Sequence, residues 1–294
     1  MPNSRSESSR TFDVSGPIDL DLNAGVSFVH VVAADRTDAV VEVAPSKPGR
    51  SGDESLAREA TVSFDNGRLR VKVPRRLNLF GKSDSVDIRC ELPAGSRVTI
   101  ESAYGSVLAR GVLGDARIVA KYGNVTADTV ADLVLEASYG TAEIAEVTGR
   151  LDATVGHGAL RIAEIHGNAR LRGSYGSLEL GTAAGEVEVA TSGALTIDRA
   201  LGDVTARSSH GPIRIREVSG GTIRLDNGHA DVDVGVPIGV AAWIDATSAH
   251  GRIRNELTPD PAAAVSDRSV ELHLHVNHAD VIIRRVTPRR EASR

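Results

Sequence analysis

The 294-residue sequence predicts an all-β fold: a β-solenoid, that is, a parallel β-helix or β-roll-like stack of two-strand repeats of about 18 residues, with an irregular N-terminal β cap. Three observations predict it. Hydrophobic residues make up 41% of the chain but aromatic ones only 3%, so the core must come from Val, Ile, Leu and Ala, which suit thin layers of short strands. Glycine returns every 17 or 18 residues, at Gly105, Gly123, Gly140, Gly158, Gly176, Gly193, Gly211 and Gly228, and a second series from Gly95 to Gly239 falls between these positions. After each first-series glycine, apolar side chains stand two and four residues on, as in Val125 and Ala127 or Leu178 and Leu180, which is strand periodicity.

Taken in order, residues 1–10 are polar and charged and form a tail. Residues 11–92 read as strands in GVSFVHVVAADRTDAVVEV, ATVSFDNGRLRVKV and SVDIRCEL, without the tight period. They form a cap continuous with the stack, since a bare solenoid end exposes core and unpaired strand edges. Two loops interrupt this cap. APSKPGRSGDESLARE ends in a short helix, and PRRLNLFGKSDS sets Leu77, Leu79 and Phe80 among Arg75, Arg76 and Lys82. Those apolar side chains either cover the end of the solenoid or offer a contact to a protein partner or an anionic surface.

Residues 93–256 are the repeats. A turn every nine residues or so needs positions where φ can be positive or where backbones crowd, which is why glycine recurs. All four tyrosines precede a glycine: Tyr104–Gly105, Tyr122–Gly123, Tyr139–Gly140 and Tyr175–Gly176. His157–Gly158, His210–Gly211, Asn227–Gly228 and His250–Gly251 fill the same column. If each repeat is one coil, equivalent residues stack about 4.8 Å apart and the flat rings form a ladder along a corner. Outward charges alternate in sign from coil to coil, as in Arg110 and Asp128, in Glu143, Arg161 and Glu179, and in Asp198, Arg216 and Asp233. In residues 257–286 the loop TPDPAAAVSDRS leads into two last strands around a turn near His278, expected to cap the far end, and residues 287–294 are a second tail.

The same residues exclude several function classes. Cys90 is the single cysteine, so no intramolecular disulfide forms, and without a neighbouring His or Cys-x-x-Cys it reads as a buried structural thiol. MPNSRSESSRTFDV lacks the apolar core of a signal peptide, and VGVPIGVAAWI is too short to span a bilayer, so no integral membrane segment and a cytoplasmic location are expected. A net charge of -5, with 34 basic and 39 acidic residues well mixed, disfavours nucleic acid. The turns lack the Gly-Gly-x-Gly-x-Asp repeat of calcium-binding β-rolls, and no Walker-type GxxxxGK[ST] is present. His157 and His210 lie three repeats apart, about 14 Å, too far to share one metal. His273 and His275 share one face of a strand with His278 close by, which suits no more than adventitious divalent-metal binding. Glu143 and Glu179, two repeats apart, approach the widest spacing of an inverting glycosidase pair, but Arg161 falls between them and a charge ladder accounts for all three. No catalytic residue, metal or cofactor is assigned.

ELPAGSRVTIESAYGSVLARGVLGDARI, the repeated xxYGxLxI units and the early VVAADRTDAVVEVAPS together resemble the bacterial putative-adhesin family of toastrack-like β-strand-repeat proteins, domain of unknown function 4097, in its actinobacterial form without a signal peptide. The resemblance covers roughly residues 11–286. It implies a β-strand-repeat fold and a link to the cell envelope, as an adhesin or a stress-response component, and it implies no catalytic residue. The expected function is a non-catalytic scaffold for protein interaction or self-association. The alternative is a carbohydrate-active β-helix enzyme or a glycan-binding module, and outward carboxylates that converge in a groove, rather than alternate with arginines, would favour it.

Overall fold

The computed structural model describes residues 9–76, 83–258 and 268–287. The chain divides into two compact units, Met1–Val147 and Thr148–Arg294. Each is a solenoid of parallel strands in two facing sheets.

In the first unit a coil is one strand in each sheet with a corner between. Arg97–Tyr104 and Val107–Leu113 form one coil, Ala116–Tyr122 and Val125–Val130 the next, and Leu133–Val147 runs through both sheets unbroken. The strands stack parallel and in register, with Ile100 beside Ile118 and Leu135 in one sheet and Val107 beside Val125 and Ala142 in the other. All six side chains are at most 1% exposed. Alternation explains this directly, because every second residue of a strand points between sheets about 10 Å apart.

The strand Asp19–Ala34 is a coil of the same kind although no glycine period reaches it: Leu20 and Leu22 pair with Val98 and Ile100, and Val29 and Val31 with Val107 and Ala109. The described residues between 35 and 96 then extend both sheets away from the repeats. Arg68–Lys72 and Val86–Pro93 add parallel strands to the two halves of Asp19–Ala34. Beyond them pairing turns antiparallel, with Thr61–Asp65 on Arg68–Lys72, Asp38–Pro45 on Val86–Pro93 and Ser9–Asp13 on Asp38–Pro45. The two edges close on each other. Phe12 stacks on Phe64 with ring centroids 5.1 Å apart, and the Arg10 guanidinium donates to the Val62 carbonyl at 2.6 Å. The helix Ser51–Glu59 is anchored through fully buried Asp53, whose carboxylate accepts from the Ser85 amide at 3.0 Å and the Lys47 amide at 3.2 Å and pairs with Arg50 at 3.2 Å.

The second unit begins with Leu151–Ile165, which spans both sheets. Four coils follow in chain order: Ala169–Gly173 with Ser177–Ala183, Val187–Thr191 with Leu195–Ala200, Val204–Ser208 with Ile213–Val218, and Gly221–Asn227 with Val232–Pro237. The order then breaks. Gly221–Asn227 and Val232–Pro237 pair not with the next coil of the chain but with Ser269–Val276 and Val281–Val286. Ala241–Ser248 and Ile253–Glu256 pair on the far side of those strands. The two strands expected to cap the stack are therefore interleaved within it, and the coil made before them lies outermost.

Burial explains the exchange. The inward residues of the interleaved coil are Val270, Leu272, Leu274, Val276, Val281 and Ile283, all at most 2% exposed. Their counterparts in the outer coil are Ala242, Ile244, Ala246, Ser248, Ile253 and Asn255, which are half-buried or exposed. A large aliphatic side chain gains about 1.5–3 kcal/mol on full burial. The coil richer in such residues takes the covered position.

Candidate functional site

Three surface features could carry a function: the corner ladders, the charged sheet faces and the outer coil of the second unit. In the first unit Tyr104, Tyr122 and Tyr139 stack with centroids 4.8 and 4.9 Å apart and planes within 6° of parallel. Gly105, Gly123 and Gly140 beside them have positive φ of 119°, 149° and 128°. In the second unit His157 stacks on Tyr175 at 5.2 Å, and Tyr175 is 77% exposed. Farther along the same unit, four imidazoles form one column. His210 stacks on His229 at 5.2 Å, His229 on His278 at 5.1 Å, and His278 on His250 at 4.8 Å.

Sequence alignment placed Asn227, not His229, in that column. The Asn227 side chain instead ties the turn, donating to the Gly211 carbonyl at 2.8 Å and accepting from the His229 and Ala230 amides at 3.2 and 3.1 Å. The signal was present. Ser-His-Gly at residues 209–211 is answered by Asn-Gly-His at 227–229, a reversal that shifts the ring one place along the turn. His278 joins the column because its coil is interleaved, which the repeat period does not encode.

The outward charges form ion pairs between neighbouring coils. Arg110 reaches Asp128 at 3.0 Å, Arg117 reaches Glu136 at 2.6 Å, Arg161 reaches Glu179 at 3.1 Å and Arg207 reaches Asp226 at 3.1 Å. Asp198 pairs with Arg216 at 3.3 Å, while Asp233 lies between Arg214 at 3.2 Å and Arg284 at 3.0 Å. Glu143 belongs to the first unit and Glu179 to the second. A groove of 670 Å³ in the second unit runs past Arg207, Asp226, His229 and His275, and His275 Nδ1 lies 2.7 Å from the Thr247 hydroxyl. His273 packs against Trp243, with centroids 5.1 Å apart, and sits 3.7 Å from Asp245.

The remaining residues singled out by sequence are accounted for locally. Cys90 is fully buried, and burial alone pushes its thiol up to about 12, out of reach of nucleophilic chemistry at neutral pH. Arg75 lies 3.8 Å from Glu101, and Arg76 pairs with Glu59 and, at 3.4 Å, with Asp84. Leu77, Leu79, Phe80 and Lys82 lie outside the described residues.

The outer coil of the second unit is the exposed edge. Among the described residues, Ala241–Ser248 and Ile253–Glu256 have strand partners on one side only. Trp243 is 56% and Ile253 47% exposed, and Ile244 is half-buried. Among the described residues no helix is long and apolar enough to cross a membrane.

Solved structures similar to this chain include a putative adhesin from Parabacteroides merdae ATCC 43184, 12% identical over 77% of this chain and 95% of that one, with a TM-score of 0.46. Another is a putative adhesin from Parabacteroides distasonis ATCC 8503, 12% identical over 95% and 96% of the two chains, with a TM-score of 0.35. A third is a putative lipid binding protein from the same organism, 11% identical over 95% and 96%, with a TM-score of 0.31. No family model and no curated protein matches the sequence.

Proposed function

We propose that this protein is a non-catalytic β-repeat scaffold that binds another protein or a second copy of itself through the outer coil of its second unit, in an adhesin-like role. One observation carries the reading: the inward residues of Ala241–Glu256 face no further coil among the described residues, so core positions such as Ile244 and Ile253 are open beside an unpaired strand edge. Added strands satisfy such an edge through main-chain hydrogen bonds, with pockets for alternate side chains supplying selectivity. The paired charges of the sheet faces support the non-catalytic half of the proposal, because the carboxylates named above are engaged along a surface instead of converging.

The test compares the intact protein with an Ile244→Lys/Ile253→Lys variant. Sedimentation velocity over a concentration series reports self-association, and capture from native lysate reports a foreign partner. The expected result is that one of the two is present in the wild type and lost in a variant with an unchanged far-ultraviolet circular dichroism spectrum. Association that survives both lysines, or a wild type that stays monomeric and retains nothing, overturns the proposal.

A further inference from the structure

One level of the second unit's corner carries no ring. The strands there pair in register, Leu178 beside Leu195 and Leu195 beside Ile213, so Tyr175, Ser192 and His210, each three places earlier, hold equivalent positions one strand spacing apart. Tyr175 has His157 stacked on one face and His210 has His229, which leaves the other face of each on the side of Ser192. Exposure agrees, since Tyr122, with a ring on both faces, is 44% exposed and Tyr175 is 77%. Two strand spacings set the Tyr175 and His210 rings about 9.6 Å apart, so a third ring midway lies about 4.8 Å from each, within the range of offset stacking. The floor of this gap is fixed. A Cβ on Gly193 would lie 1.8 Å from the Gly176 carbonyl oxygen, and the Gly193 amide donates to the Thr191 hydroxyl while its carbonyl accepts from that of Ser208, both at 3.0 Å. The 670 Å³ groove begins beside the gap: its lining includes Thr191 and Ser209, chain neighbours of Ser192 and His210, and continues over Arg207, Asp226 and His275.

We infer that the gap at Ser192 and the groove beside it bind a nucleoside-like ligand, its planar base between Tyr175 and His210 and its hydroxylated sugar over the groove. Base rings stack on tyrosine and histidine whatever their edge pattern, so the gap selects for flatness. The groove supplies partners for the sugar. Arg207 and Asp226, 3.1 Å apart, use one guanidinium donor and one carboxylate acceptor on each other and keep the rest for hydroxyl groups. Their charges balance, so the ligand needs no charge of its own. Tyr175 itself shows that this corner accepts a ring, and Ser192 is the place where the chain does not provide one.

The experiment titrates adenosine into the intact protein and reads saturation-transfer nuclear magnetic resonance. The base protons are expected to receive more saturation than the ribose protons and to move upfield under the ring currents of Tyr175 and His210. Ser192→Tyr, which fills the gap with a ring of the chain's own, and Tyr175→Ala, which removes one wall, should each weaken binding about tenfold or more. Tyr122→Ala, in the column of the first unit, leaves the affinity unchanged. No adenosine signal with the wild type, wild-type affinity in Ser192→Tyr, an equal loss in Tyr122→Ala, or displacement of adenosine by free ribose at equal concentration each overturns the inference. If Ser192→Tyr loses the wild-type circular dichroism spectrum, Tyr175→Ala and the proton pattern of the wild type decide.

Discussion

A single glycine shows how residue-scale detail separates two causes that sequence alone merges. Glycine at the corners was expected where φ is positive or where backbones crowd; the two coincide at Gly105, Gly123 and Gly140, whereas Gly176 and Gly193 show crowding without a positive φ. Gly158 has a φ of 145°, whereas a Cβ built on Gly176 would lie 1.9 Å from the Gly158 carbonyl oxygen and one on Gly193 would lie 1.8 Å from that of Gly176. Gly158→Val, Gly176→Val and Gly193→Val are each expected to cost about 1–3 kcal/mol or more, the first through backbone strain and the others through overpacking. Urea midpoints within error of the wild type for all three would remove the corner assignment. A second prediction concerns Arg36, which pairs with Asp38 at 2.7 Å and with Glu91. Hydrogen bonding to Arg36 is the main cause holding both carboxyls below their ordinary values, with Arg89 adding to the effect on Glu91. Their contribution is complete above the unfolded-state range near pH 4–4.5 and fades as pH falls through the lower folded-state values. Arg36→Met should therefore lower the urea midpoint most above about pH 5, with the gap from wild type closing as pH falls through the lowered folded-state values. A gap independent of pH would mean that Arg36 acts through packing alone.

At the scale of strands and coils, the repeated alternation and the Tyr-Gly pairs were enough to read the two-strand coil, its register and the corner stacking of the first unit. They were not enough for two elements. Asp19–Ala34 pairs as a full coil but carries Ala24 and Gly25 at its corner, outside the glycine period, so only its alternation was visible. The place of Ser269–Val286 was missed for a different reason, since proximity in sequence suggested an end position while the sizes of its inward residues favour an inner one. Comparing VELHLHV with AAWIDATS would have exposed this, because the former sets Val, Leu and Leu at inward positions where the latter sets Ala, Ile and Ala. The histidine column follows from the same exchange and was hidden with it. Removing residues 259–294 takes away the strands to which Ala241–Glu256 is bonded. In the truncated protein, hydrogen exchange at residues 241–256 is expected to rise by orders of magnitude more than at residues 187–200. Equal protection in the two segments would show that the outer coil holds its place without the interleaved one.

For the molecule as a whole, the two units share one construction but end differently. The first closes an edge with antiparallel strands, a stacked Phe12–Phe64 pair and the hydrogen bond from Arg10, whereas the second presents an outer coil whose inward side mixes small and polar residues with Ile244 and Ile253. Interleaving also sets an order of events in time. While the chain is being synthesised, Ala241–Glu256 emerges before Ser269–Val286 exists, and the free edges of Gly221–Asn227 and Val232–Pro237 are open to it. In the folded chain that edge is taken by the later strands, and Ala241–Glu256 pairs only with them. The outer coil therefore has no native neighbour until the last strands of the chain have been made, so this end of the stack is completed out of the order in which it is synthesised.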